Sequence, residues 1–169
     1  MKPPVESEGA LGHAPGPVRR EVMFAVPATF ADVSRLGAAL QAFGVAPVGG
    51  AGECNIDIGV IEALNNIVEH GYSGGADAIV VVSVHEYADR VVVELIDHGR
   101  PLPADRLSEA DANAFRFDPA ELGEIPEGGM GLALINTIFD AVEYSSIAGE
   151  NRLRLTKITT AVAATPTAG

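Results

Sequence analysis

Apolar and polar positions alternate along this chain with two different periods. Residues 58–72, IGVIEALNNIVEHGY, repeat every three to four positions, the period of a helix. At ~100° per residue, Val60, Leu64, Ile67, Val68 and Gly71 fall on one side, and Glu62, Asn66, Glu69 and His70 on the other. A second helical stripe, Val33, Leu36, Leu40 and Phe43, predicts a helix over 30–43, with Thr29 as its cap and Gly44 as its stop. A third helical pattern covers 132–140, through Leu134, Ile135 and Ile138. Gly74 and Gly75 follow the 58–72 helix and are expected to end it.

Strand-like runs lie between these stripes. Residues 21–26 alternate as an edge strand ending at Pro27. AIVVVSVH (78–85) and RVVVELI (90–96) are rich in β-branched residues and separated by a short gap, so they predict a hairpin. Residues 142–147 and 151–158 make two closing strands around a turn at Gly149. The order predicts an α+β fold, a two-layer sandwich in which about three helices cover one face of a mixed or antiparallel sheet.

The periodicity fails in three places. Residues 1–18 are rich in Pro and Gly and residues 161–169 in Ala, Thr and Pro; both are expected to be mobile tails around a domain at 19–160. Residues 102–127 are acidic, carry Pro103, Pro119 and Pro126, and lack a period. A connection of that length inside a compact domain is expected to be a lid or a disordered insert.

The chain has 169 residues, enough for one domain with a proper core. Its net charge of −12 repels a phosphate backbone, which argues against direct nucleic-acid binding. The single cysteine, Cys54, excludes an intrachain disulfide and fits a reducing cytoplasm; it is expected to be a small buried residue. No apolar run reaches the ~18 residues of a membrane span, and the N-terminus lacks signal-peptide features. His13, His85 and His98 lack the partners of a metal site.

Three short stretches carry candidate chemistry. Glu62 and Asn66 are four residues apart, hence neighbours on a helix surface. A carboxylate there can accept a proton, and an amide oxygen is a hard ligand suited to Mg²⁺; equally, the two can be a solvated polar face. Asp97 at a strand end can accept a hydrogen bond from an exocyclic amine, with Gly99 letting a flat base approach the backbone; equally, it can make an Asx turn. Gly128, Gly129 and Gly131, just before a helix, can cradle a phosphate or simply permit a tight turn. No G-K-[ST] is present, so a P-loop is excluded.

The order of these stretches, E-x-x-x-N, D-x-G and G-G-x-G-L, with a lid before the last, resembles the N, G1 and G2 boxes of the GHKL (Bergerat-fold) ATP-binding superfamily. EALNNIVEHGY and FDPAELGEIPEGGMGLALI resemble its anti-sigma-factor serine/threonine kinase branch. The resemblance covers about 21–158 and implies a lid at about 101–128. It implies ATP and Mg²⁺ as cofactors, with Asn66 on the metal and Glu62 as general base toward a protein serine or threonine. It also implies Asp97 and Gly99 at the adenine, Thr156 assisting Asp97 through a water, and Gly128, Gly129 and Gly131 around the phosphates. Arg106 or Arg116 would serve the γ-phosphate, and His70 would be structural or a minor pocket contact.

The implied partners are a sigma factor and a STAS-domain anti-anti-sigma protein, the location is the cytoplasm, and the state is a homodimer. Pro101 stands where the superfamily has a second Gly. Because Pro removes an N–H, a partner-switching module with weak or no ATP binding stands as the alternative. A stand-alone ATPase would want a transducer domain that the sequence does not show.

Overall fold

The computed structural model describes residues 16–43, 56–73, 77–102 and 130–159. Five strands form one sheet: β1 (Arg20–Pro27), β2 (Ile79–Glu86), β3 (Arg90–Asp97), β4 (Ala141–Ile147) and β5 (Glu150–Ile158). The order across the sheet is β1-β2-β3-β5-β4, and every pairing is antiparallel. The α+β expectation holds, and of the two sheet types foreseen the antiparallel one is present. β1 lies at an edge, as its alternation implied. β4 and β5 turn at Ala148 and Gly149, both at positive φ (53° and 83°), which suits a tight turn between right-twisted strands.

Among the described residues, three helices supply the second layer: α1 (Phe30–Phe43), α2 (Ile56–Asn66) and α3 (Met130–Ile138). α1 has the predicted bounds. Its start is capped by Thr29, whose Oγ1 accepts the Asp32 N–H at 3.2 Å. α2 continues as a π-helical turn, Ile67–Gly71, so the helix stops short of Tyr72 and before Gly74 and Gly75.

The core lies between the layers. Val80, Val82 and Val84 of β2, Val93 and Leu95 of β3, and Leu153 and Leu155 of β5 point at the helices. They meet Val33, Leu36 and Leu40 of α1, Val60, Ala63, Leu64, Ile67 and Val68 of the α2 region, and Ile135 of α3. Strand period and helix period thus bury one shared set of aliphatic side chains. Among the described residues, no helix is long and apolar enough to cross a membrane. Cys54, His13, Gly44, residues 1–15 and 161–169 of the two tails, and residues 103–129 lie outside the described residues.

Candidate functional site

α2 lies between α1 and α3 and carries the polar pair. Its apolar side is buried in the core, which turns Glu62 and Asn66 toward the start of α3. They do not form a solvated face, because both are half-buried. The backbone of Gly131, in the first turn of α3, comes so close that a Cβ there would lie 3.2 Å from Asn66 Nδ2 and 3.3 Å from Glu62 Oε2. Glycine is what lets the helix start approach the pair. Asn66 Nδ2 is buried and has no hydrogen-bond partner, a costly condition for an amide.

The C-terminal turn of the same helix meets the loop after β3. The π-helical turn presents the Gly71 carbonyl outward, where it accepts the Arg100 N–H at 3.0 Å. Gly99 packs against this turn: a Cβ there would lie 2.9 Å from Gly71 O and 3.0 Å from Tyr72 Cζ. Asp97 is buried at the last position of β3. Its Oδ1 accepts two hydrogen bonds, from the Gly99 N–H at 2.7 Å and from Asn151 Nδ2 at 2.9 Å. Both donors converge on one oxygen, which leaves Oδ2 for a ligand. One helix therefore joins an acid–amide pair under a helix N-terminus to a strand-end carboxylate beside a glycine.

Residues 26–157 match the histidine kinase-like ATPase domain. The chain belongs to that family. It is 35% identical over 95 residues to the serine-protein kinase RsbW of Halalkalibacterium halodurans, a match covering 56% of each protein. It is 32% identical over 93 residues to the RsbW of Listeria innocua, covering 53% of this chain and 55% of that one. An anti-sigma F factor of Clostridium beijerinckii is 27% identical over 95 residues, with 62% of its length covered. The match thus spans little more than half the length of these relatives. A crystal structure of the RsbU and RsbW domains of Rv1364c from Mycobacterium tuberculosis shares the fold, with a TM-score of 0.54 at 17% identity over 82% of this chain and 32% of that one.

Within this histidine kinase-like domain, one expected site residue stands elsewhere. Thr156 pairs with Val92 and Ala141, whereas Asp97 pairs with Asn151. Five strand positions separate Thr156 from Asn151, roughly 17 Å, and an odd number of steps puts them on opposite faces of the sheet. Thr156 therefore does not reach Asp97. Asn151 occupies that place, also donating to Gly99 O at 3.0 Å. Its signal lay in the period of β5: Asn151, Leu153 and Leu155 form one alternating set, and that set is buried.

Tyr72 and Tyr144 also went unread, because their half-buried rings look like core residues and only the hydroxyls reach the loop. Gly128, Gly129, Arg106 and Arg116 lie outside the described residues. His70 is half-buried in the π-helical turn, and Glu69 is exposed.

The described residues suit a magnesium-bound nucleoside triphosphate. A buried, unpartnered amide on Asn66 faces a helix start whose backbone approach would be filled by a single Cβ. Among these residues no group of three His, Cys, Asp or Glu side chains gathers.

Proposed function

We propose that this protein is a Mg·ATP-dependent serine/threonine kinase that acts as an anti-sigma factor in the cytoplasm. It holds a sigma factor inactive and phosphorylates a STAS-domain anti-anti-sigma protein. The observation that carries this reading is the Glu62–Asn66 pair set against Gly131, on the helix whose following C-terminal turn meets Asp97 and Gly99. The names of the relatives, serine-protein kinase RsbW and anti-sigma F factor, support it.

When bound, Mg·ATP supplies the phosphoryl group and the charge neutralisation that its transfer needs. Asn66 would hold the metal through its Oδ1, and its Nδ2, unpartnered in the protein, would be available to a phosphate oxygen. Glu62 takes the proton of the substrate hydroxyl. The N-terminus of α3, which Gly128 and Gly129 precede in the sequence, would offer the phosphates its backbone N–H groups and its dipole. Asp97 Oδ2 would accept from the exocyclic amine of the base, and Gly99 would give the ring room.

Transfer of labelled phosphate to the antagonist tests the proposal. Glu62→Gln keeps the shape and removes the base, so transfer falls roughly 100-fold or more while Mg·ATP still binds. Equal transfer by the variant removes Glu62 as base. Calorimetric titration separates the kinase from a sequestering module: absent or millimolar Mg·ATP binding by the wild type favours the module.

A further inference from the structure

The segment from His98 to Leu102 is held at every backbone donor it has. The His98 N–H donates to the Tyr72 hydroxyl at 3.0 Å and the Gly99 N–H to Asp97 Oδ1 at 2.7 Å. The Arg100 N–H donates to Gly71 O at 3.0 Å and the Leu102 N–H to the Tyr144 hydroxyl at 2.9 Å. The remaining residue, Pro101, has no N–H to satisfy. Buried donors must find acceptors, but this loop is not buried: His98, Arg100 and Pro101 are exposed. Water would satisfy such donors equally well. Holding them with protein acceptors from three separate elements brings order to the loop and adds nothing the core needs. Pro101, with its fixed φ, adds to the same stiffness.

The two tyrosines bracket the segment. Tyr72 stands just after the π-helical turn and Tyr144 on β4, each with its ring packed against the core and its hydroxyl reaching out. Between the two clasps lie Gly99, next to Asp97, and the Gly99 carbonyl held by Asn151. We infer that Tyr72 and Tyr144 are positioning residues for the base: their hydroxyls fix the two ends of this loop so that Asp97 and Gly99 meet the ring already in place. Preorganisation of this kind raises affinity by lowering the ordering cost of binding. The inference rests on the nucleotide-binding reading above. It turns Pro101 from a defect of the site into a part of its rigidity.

Tyr72→Phe and Tyr144→Phe keep the rings and remove the clasps. Each is titrated with Mg·ATP and Mg·GTP beside the wild type, and each is melted thermally. Losing a clasp returns the cost of ordering the loop to the binding step, so ATP affinity falls about five-fold. The same factor disappears from the preference for ATP over GTP, since GTP presents a carbonyl where adenine presents an amine. The melting temperature is unchanged. Unaltered ATP affinity in both variants overturns the inference. An equal fall for ATP and GTP, or a fall that tracks a lowered melting temperature, makes the tyrosines structural and overturns it too. A wild type that binds neither nucleotide removes the proposed function along with the inference, and only that outcome reaches so far.

Discussion

Asn151 and Asp97 are cross-strand partners, with the amide nitrogen of one 2.9 Å from the carboxylate of the other. Asp97 is only 4% exposed, so its oxygens rely on the few donors around them. Removing Asn151 leaves that carboxylate with the Gly99 N–H alone. Asn151→Ala is expected to cost about 1–3 kcal/mol of stability and to weaken Mg·ATP binding, as urea unfolding and titration will measure. Thr156→Val, on the opposite face, leaves ATP affinity unchanged. If instead Thr156→Val weakens binding and Asn151→Ala does not, the base lies elsewhere than at Asp97.

Gly131 and Gly99 separate packing from catalysis. Gly131 sits in the first turn of α3, where alanine favours the helix by ~1 kcal/mol. The new Cβ would press on the flexible ends of Glu62 and Asn66, at 3.3 and 3.2 Å. Gly131→Ala is therefore expected to keep or raise stability while phosphate transfer falls at least ~10-fold, because the pair is displaced by a fraction of an ångström. At Gly99 the obstacle is backbone, Gly71 O at 2.9 Å. Gly99→Ala costs about 1–3 kcal/mol and loses ATP binding as well. Transfer rates measured beside urea unfolding would show the two substitutions diverging; parallel losses would mean that Gly131 shapes the fold rather than the site.

The cap of α1 gives a pH signature. Thr29 Oγ1 accepts the Asp32 N–H, and its own hydroxyl donates to Asp32 Oδ2 at 2.7 Å. That hydroxyl first, and the Arg35 guanidinium second, hold the Asp32 carboxyl below its ordinary value. A depressed folded value means that the stabilisation is present above the unfolded value and is lost as pH falls through the folded one. Thr29→Ala is expected to cost ~1 kcal/mol near neutrality. The gap to wild type narrows below the ordinary carboxylate range without closing, since the Asp32 N–H still uses the cap. Unfolding curves across acid pH check this, and a constant gap would exclude the Asp32 carboxyl from the cap's energetics.

Much of this geometry was legible because period and capping are local. The stripe Val33, Leu36, Leu40 and the cap Thr29 define α1 at its observed bounds, Phe30–Phe43. Strand β2 is displaced by one residue from its sequence reading, and β3, β4 and β5 each by one residue at a single end. What local pattern does not carry is register. Asn151 and Thr156 both look polar on one strand, and only the pairing of β3 with β5 shows which of them faces Asp97. Burial by a distant element is equally silent: the polar side of α2 reads as solvent-facing until α3 closes over Glu62 and Asn66. The π-helical turn after Asn66 adds no change in residue type, yet it is what aims the Gly71 carbonyl at Arg100.

Asn66 is an amide whose buried nitrogen has no partner, so in the protein alone it weakens the fold. Replacing an unsatisfied polar group by an apolar one of similar shape is neutral or stabilising. Asn66→Leu is therefore expected to unfold at equal or higher urea, by up to ~1 kcal/mol, while losing Mg²⁺-dependent ATP binding and phosphate transfer. Chelation of Mg²⁺ with EDTA gives the wild type the same loss and leaves its unfolding curve unmoved, because the ion enters with the nucleotide's phosphates. Asn66→Asp retains an oxygen ligand and is expected to keep part of the transfer at raised Mg²⁺. A leucine variant that still transfers phosphate at the wild-type rate would show that the orphaned amide serves some purpose other than the metal.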